Sequence, residues 1–332
     1  MLMARLGQAM IAAALVAGCT PDFDDVWKVK DLRILAIQAD PPEVLARTSD
    51  LMAVTTIPPV SVTTLVVDPR MGPGDARDWS LTACTPEEKT CDDAFRRVVV
   101  GAGRTPLDQI EATFTLTPDL LQAAIQQDTL KGFGGVPVHL DLKIWDPELA
   151  QPVQAIKRLV YGVSDFPVQV PPAEGTLGGA CGGGAACDDG LACEGDQCVR
   201  VPNQNPALEK ITADGKPIPG SDWEVPAGEE VKLLPAAREG DDEPYWVNTF
   251  TGGTRRLDEY VSYAFFVTSG KLKNATTGGP PTVFAKKKSV EDLTSTWTPL
   301  ETGDATVWVI VRDDRGGVSW SSYQARVTPA FK

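Results

Sequence analysis

Residues 305–320 read ATVWVIVRDDRGGVSW. β-Branched and aromatic residues fill both arms of the stretch, as is typical of strands. Aspartate and glycine residues separate the arms, as is typical of a turn. The stretch therefore predicts two strands joined by a turn, near the end of a β-sandwich domain.

Segments of the same kind recur through the C-terminal part of the chain. Glycine and proline fall between these segments rather than inside them, which predicts short strands at the spacing of a sandwich. The predicted strands are Leu208–Ala213, Glu230–Leu234, Tyr260–Thr268, Ala305–Asp313 and Val318–Val327.

The N-terminal half has a similar pattern with one helix inserted. In VPVHLDLKIWD, residues 136–146, apolar residues alternate with His139, Asp141 and Lys143, which predicts a strand with one polar face. A helix is predicted to begin at the N-cap Thr117 and to close at Gly132. The other predicted strands are Leu32–Ala39, Leu51–Ile57, Val60–Val67, Phe95–Val100, Ile110–Leu116 and Gln154–Val163.

The charge and the composition argue against some classes of ligand and active site. The 332 residues carry 31 basic and 45 acidic side chains, a net charge of −14, which argues against nucleic acid as the main ligand. His139 is the single histidine, so most His-based triads and multi-histidine metal sites are improbable. We interpret His139 as an exposed surface residue.

The seven cysteines predict disulfides. Without Cys19, six remain, an even number that fits three bridges in an exported chain. Cys84 and Cys91 lie in a polar loop between extended segments and are predicted to staple it, the alternative being two reduced thiols. The other four, Cys181, Cys187, Cys193 and Cys198, lie in a segment with little apolar material, which needs covalent staples. A zinc site is the rival reading for these four, but the C-x2-C spacing of zinc ribbons is missing.

The first residues, MLMARLGQAMIAAALVAGCT, indicate export. Arg5 precedes a short apolar run that is too short to span a bilayer and is typical of a signal peptide. Val16-Ala17-Gly18-Cys19 resembles the lipobox of bacterial lipoproteins, which implies cleavage before Cys19 and lipidation of its thiol. By the same resemblance, Thr20 in place of aspartate favours the outer membrane. The alternatives are an ordinary secretory peptide in which Cys19 is incidental and a cytosolic amphipathic helix.

Both halves resemble the immunoglobulin-like or PKD-like sandwiches of bacterial surface proteins. The resemblance rests on LRILAIQADPPEVLA, residues 32–46, and on ATVWVIVRDDRGGVSW. The four-cysteine segment resembles the Dickkopf N-terminal or colipase-like modules of exported myxobacterial proteins. That resemblance implies the pairing of Cys181 with Cys193 and of Cys187 with Cys198.

The expected fold class is therefore mainly β, with two immunoglobulin-like antiparallel β-sandwiches joined by a small disulfide-rich module and one short helix in the first domain. The expected parts are a signal peptide at 1–18, an acidic tether at 19–30, a sandwich at 31–166, a linker at 167–180, the module at 181–201 and a sandwich at 206–330.

The residues that could bind a metal or a sugar are predicted to have structural roles instead. Adjacent aspartates, such as Asp188-Asp189 and Asp313-Asp314, are predicted to be solvated turns, with calcium as the alternative. Trp297, Trp308 and Trp320 fall at strand positions and are predicted to pack rather than to bind sugar. We therefore expect no catalytic residue, no cofactor and no metal.

The expected function is binding. We expect a lipid-anchored cell-envelope protein that presents its sandwiches to a protein or polysaccharide partner. One alternative is a hydrolase of envelope polysaccharide that uses a carboxylate pair. The other alternative is a structural subunit of an outer-membrane assembly.

Overall fold

The computed structural model describes residues 25–47, 51, 57–72, 74–86, 90–94, 96–130, 132–165, 172–182, 186–220, 223–280 and 289–330. The predicted signal peptide and Cys19 lie outside the described residues, as do residues 52–56 of the predicted strand Leu51–Ile57. At the first residue of that strand the prediction is wrong, because Leu51 N donates to Arg47 O at helical spacing.

In the described residues, the first sandwich has eight strands in two sheets. In chain order they are β1 (Arg33–Asp40), β2 (Glu43–Ala46), β3 (Val60–Val67), β4 (Ala76–Cys84), β5 (Arg97–Pro106), β6 (Glu111–Phe114), β7 (Val136–Trp145) and β8 (Val153–Val163). One sheet has the order β1-β3-β6, and the other has the order β2-β8-β7-β4-β5. A 3-10 turn (Leu107–Gln109) and helix α1 (Pro118–Gln127) flank β6.

The module contains one hairpin, β9 (Leu191–Glu194) and β10 (Gln197–Arg200). The second sandwich begins with β11 (Leu208–Ala213), β12 (Lys216–Pro217), β13 (Trp223–Pro226) and β14 (Val231–Ala237). A separate hairpin follows, β15 (Pro244–Asn248) and β16 (Thr254–Asp258). The remaining elements are β17 (Ser262–Val267), β18 (Lys271–Lys273), β19 (Thr276–Gly278), helix α2 (Val290–Leu293), β20 (Ser295–Thr298), β21 (Gly303–Arg312) and β22 (Val318–Thr328).

The two sandwiches share one topology. In the first, the chain pairs β1 antiparallel with β3 and then crosses to pair β2 parallel with β8. In the second, β11 pairs antiparallel with β14, and β13 pairs parallel with β22 in the sheet β13-β22-β21-β17-β19. The opposite sheet has the order β12-β11-β14-β20-β18. The fold is therefore mainly β, with two immunoglobulin-like sandwiches joined by a disulfide-rich module, and each sandwich adds one parallel pair to its antiparallel sheets.

Alternating side chains fill each sandwich. In β7, Val138, Leu140, Leu142 and Ile144 are fully buried and belong to the first core. In β21, Ala305, Val307, Val309 and Val311 belong to the second core. The period of two puts these residues on the inner face of each strand.

Helix α1 packs its buried face into the first core. Thr117 caps it by accepting from Leu120 N, and Pro118 is its first residue. The helix ends earlier than the sequence predicts, at Gln127 rather than at Gly132. Asp128 explains the early stop, because its backbone is extended and its carboxylate accepts from Gly132 N.

A third apolar cluster joins the two sandwiches. Leu35 and Val67, from the outer face of the β1-β3-β6 sheet, pack with Trp308, Ile310 and Val318 on the outer face of the β21-β22 sheet. Both sheets are thereby covered on two faces, and two clefts remain beside the cluster.

The chain before β1 is partly docked. Val29 N donates to Val267 O and Val267 N donates to Trp27 O, which adds these residues to the edge of β17. Val29 is 1% exposed. Within the segment expected to form the tether, Trp27 therefore packs against the second core and Val29 lies in an apolar cluster between the sandwiches.

Candidate functional site: the junction and the clefts between the sandwiches

The Cys84–Cys91 bridge holds a loop over the outer face of β7. Cys91 N donates to the Asp141 carboxylate, which also accepts from the Gln154 amide. This cover explains why Asp141 is only 1% exposed, although the alternation places it on the polar face of the strand. Cys91 is thus fixed by a covalent bond and by a hydrogen bond to a buried carboxylate.

The module is held by two further bridges, Cys181–Cys193 and Cys187–Cys198. This is the pairing that the resemblance to Dickkopf-type modules implies. Among the described residues, one group of ligand atoms lies close enough together for a metal, namely the sulfurs of Cys181, Cys187 and Cys198. Each of these sulfurs is bonded in a disulfide, so none is a thiolate that zinc could bind.

A buried ionic cluster ties the module to both sandwiches. Glu43, at the start of β2, accepts from the Arg200 guanidinium at 3.0 Å and from Asn203 N at 3.3 Å. Arg315, in the turn between β21 and β22, makes a short contact with the same carboxylate. The side chains of Glu43, Arg200 and Arg315 are 8%, 12% and 9% exposed, so these charges interact with little screening by water. We call Glu43, Arg200, Arg315 and Glu259 the junction cluster.

Glu259 brings a second carboxylate to Arg315. Arg315 Nη1 lies 3.2 Å from Glu259 Oε1. Burial raises the pKa of Glu259 to about 8, even though the charge of Arg315 opposes the shift. Tyr245 stacks against the same guanidinium, whose Cζ lies 4.9 Å from the ring centroid. Arg315 therefore lies among Glu43, Glu259 and the aromatic ring.

The β15-β16 hairpin reaches from the second sandwich to the module and to the first sandwich. Trp246 Nε1 donates to Asp189 O at 3.0 Å in the module. At the tip, Phe250 stacks on Phe133 of the first sandwich with centroids 4.9 Å apart. The hairpin thus bridges parts of the chain that sequence places far apart.

An acidic cleft of about 490 Å³ lies on one side of the apolar cluster. Its walls come from both sandwiches. Apolar side chains (Met71, Leu107 and Trp308) and the hydroxyls of Thr268 and Thr306 line it. Its carboxylates are Asp68, Asp75, Asp108 and Asp304, and no basic side chain of the described chain joins them in the lining. Among the described residues, Asp68 alone of these four is ion-paired, with Arg70 and Arg77.

The two aspartate pairs form hydrogen bonds at turns. The Asp313 carboxylate accepts from Arg315 N, Gly317 N and Asn203 Nδ2. One of its oxygens therefore bonds within the turn and the other bonds to Asn203. In the module, Asp188 O accepts from Leu191 N. Both pairs lie at turns, as predicted.

The aromatic and histidine candidates are mainly structural. Trp297 is fully buried and lies 5.4 Å from Trp223, while Trp308 and Trp320 pack in the cluster between the sandwiches. His139 differs from the expectation of an exposed residue, because it is half-buried. Burial, helped by the charge of Arg158, lowers the pKa of His139, so it is neutral at pH 7.

Sequence reasoning missed the junction cluster altogether. Glu43, Arg200 and Arg315 are single charged residues that lie more than 100 residues apart, and no spacing connects them. One local signal was present. Glu43 follows two prolines and opens an apolar strand, a position where an unpaired carboxylate is unusual.

Among the described residues, no helix is long and apolar enough to cross a membrane.

Comparison with known proteins gives only distant likenesses. The fibronectin(III)-like modules of CbhA from Clostridium thermocellum match at 9% identity and a TM-score of 0.23, over 89% of this chain and 95% of theirs. The D00-D0 domain of Intimin matches at 9% identity and a TM-score of 0.21, over 91% of this chain and 99% of its own. The fold assignment rests on strand order alone. No family model and no curated protein matches the chain.

Proposed function

We propose that this chain is a lipid-anchored protein of the cell envelope, most simply of the outer membrane, that binds a protein or polysaccharide partner and catalyses no reaction. The observation that carries the binding role is the acidic cleft, because its walls come from two sandwiches held together by the junction cluster. A concave surface on rigid elements is the usual setting of a binding site.

The chemistry of the cleft favours a neutral or basic partner. Its unpaired carboxylates accept hydrogen bonds from sugar hydroxyls or from cationic side chains, and they repel anionic polymers. Its apolar lining offers Met71 and Leu107 to a sugar ring or an aliphatic side chain. The proposed partner therefore carries hydroxyl or ammonium groups.

Charge reversal tests the cleft. Asp304→Lys changes an exposed carboxylate in the cleft wall, while Glu224→Lys changes an exposed carboxylate elsewhere on the same sheet. We expect D304K to weaken retention of the purified protein on arrayed envelope glycans or on isolated envelopes by about tenfold, which corresponds to ~1.4 kcal/mol, and E224K to leave it unchanged. Equal retention of both variants and the wild type would contradict binding at this cleft.

The anchor is tested separately by the intact mass of the protein purified from its native membrane. Loss of residues 1–18 and addition of three acyl chains at Cys19 are the expected result. An unmodified Cys19 would overturn the anchor and leave the proposal for the cleft in place.

A further inference from the structure

A second cavity between the sandwiches contains a lysine where the strand pattern calls for an apolar residue. One face of β8 belongs to or packs against the first core. Its residues are Val153, Ala155, Leu159, Tyr161 and Val163. Lys157 occupies the same face of the strand. Its Nζ makes a short contact with Gly316 O, in the turn of the second sandwich.

Arg312 reaches the same cavity from the opposite side. It is the last residue of β21 and continues the outer face formed by Thr306, Trp308 and Ile310. Its Nη2 donates to Leu35 O, in the first sandwich, at 2.9 Å. One cation of each sandwich therefore contacts a backbone carbonyl of the other sandwich.

The cavity has a volume of about 360 Å³ and an excess of positive charge. Lys157 and Arg312 line it with their side chains, together with Asp313, while the side chain of Arg158 is exposed on the opposite face of β8. In the described part of the chain, Lys157 and Arg312 bond to the carbonyls of Gly316 and Leu35, and neither lies within ion-pair distance of a carboxylate. One oxygen of Asp313 accepts from two backbone N–H groups of its own turn and the other accepts from Asn203, so both oxygens are already hydrogen-bonded.

The two central cations also disfavour one another. Burial lowers the pKa of Lys157 to about 8, and the charge of Arg312 contributes to the shift while that of Asp313 opposes it. Burial likewise lowers the pKa of Arg312. Buried charges are usually paired, because an uncompensated charge in a low dielectric is costly.

We propose that this cavity binds the oxyanion group of a small ligand, a carboxylate or sulfate, between Arg312 and Lys157. The guanidinium matches a planar oxyanion with two parallel hydrogen bonds, and the ammonium adds a point charge. The apolar residues Leu35, Ile37 and Ala155 leave room for a body about the size of one sugar ring. The site is independent of the acidic cleft and of the proposed anchor, since none of its residues lies in either.

The experiment is titration calorimetry on the purified full-length protein with sodium sulfate and sodium glucuronate as probes. Sodium chloride at matched ionic strength and uncharged glucose are the controls. Arg312→Gln and Lys157→Met are each expected to weaken binding at least tenfold. Lys232→Met removes an exposed lysine of β14 and is expected to change binding less than twofold.

A second readout needs no variant. An anion beside Lys157 stabilises its charged form, so sulfate should raise the pKa of Lys157 from about 8, measured by the pH dependence of amine labelling followed by peptide mass. Tighter binding of glucuronate than of sulfate would assign the site to an acidic saccharide, and equal binding would assign it to an inorganic oxyanion. If neither probe binds more tightly than chloride and the pKa of Lys157 does not move, the proposal is wrong.

Discussion

The carboxylate of Glu43 accepts from donors in three other parts of the chain. Arg200 belongs to the module, Asn203 to the segment that follows it, and Arg315 to the second sandwich. Removing a buried carboxylate leaves two buried guanidinium groups without their main partner. That loss costs more than the pair itself contributes, because the remaining charges keep their desolvation penalty.

We therefore expect Glu43→Ala to lower the free energy of unfolding by ~3–5 kcal/mol in urea denaturation. The control is Glu194→Ala, whose carboxylate is 53% exposed and lies 3.5 Å from Arg47. That variant should lose less than ~1 kcal/mol, since water screens an exposed pair. Similar losses in the two variants would show that the junction cluster does not bind the parts together.

The raised pKa of Glu259 predicts that stability depends on pH with the opposite sign to that given by most carboxylates. Because burial raises its pKa to about 8, the folded chain holds a proton that the unfolded chain has released. Between the ordinary value of 4.5 and about 8, the folded state therefore binds more protons, and stability falls as pH rises through this window. Glu259→Gln keeps the neutral form at every pH.

The Tm of Glu259→Gln minus that of the wild type should increase from pH 5 to pH 8.5 by ~3 °C or more. Lys157 acts in the reverse sense and at higher pH, because its lowered pKa makes stability rise between about 8 and 10.5. Taking the difference between variant and wild type removes that contribution. A difference that stays constant with pH would mean that Glu259 is ionised in the folded protein.

At the scale of elements, the sequence predicts strands well where one face is buried. Val60–Val67 and Leu208–Ala213 are found with the predicted bounds. The β15-β16 hairpin was missed because all residues of β15 are half-buried and show no alternation. Their burial comes from contacts outside the strand, such as that between Trp246 and the module, which local pattern cannot reveal.

Two glycines with the same φ test how the hairpin docks on the module. Gly190 and Gly215 both have φ of 80°. A Cβ on Gly190 would lie 2.1 Å from Pro244 O, whereas a Cβ on Gly215 would have no atom within 4 Å. Alanine at either position carries the strain of a positive φ, so only the contact with the hairpin differs.

We expect Gly215→Ala to lower the free energy of unfolding by ~1 kcal/mol and Gly190→Ala to lower it by ~1–3 kcal/mol more. Hydrogen exchange of β15 should also increase in Gly190→Ala alone, because the hairpin must move to make room. Equal losses and unchanged exchange would contradict the docking of the hairpin on the module.

At the scale of the molecule, the residue pattern of β21 indicates that its sheet is covered on both faces. Its residues from Ala305 to Val311 are apolar on both faces apart from Thr306, whereas a strand at the surface of a sandwich has one polar face. The outer face therefore needs a cover, which β1 and β3 provide through Leu35 and Val67. The pattern indicates that such a cover exists, but the sequence does not say which segment supplies it.

Leu35→Asp places a charge in this apolar cluster and is expected to separate the sandwiches while each keeps its own core. The radius of gyration from small-angle scattering should then rise by about 10% or more above the compact value. Val99→Asp is the control, because Val99 is 69% exposed on the edge strand β5. That variant should scatter as the wild type does.

The most direct measurement is of residual dipolar couplings for the backbone amides of both sandwiches in one aligned sample. If the apolar cluster and the junction cluster hold the sandwiches as one body, a single alignment tensor fits the amides of both. Two tensors of different magnitude or orientation would mean that the sandwiches move independently. The acidic cleft and the cationic cavity would then not persist as binding sites.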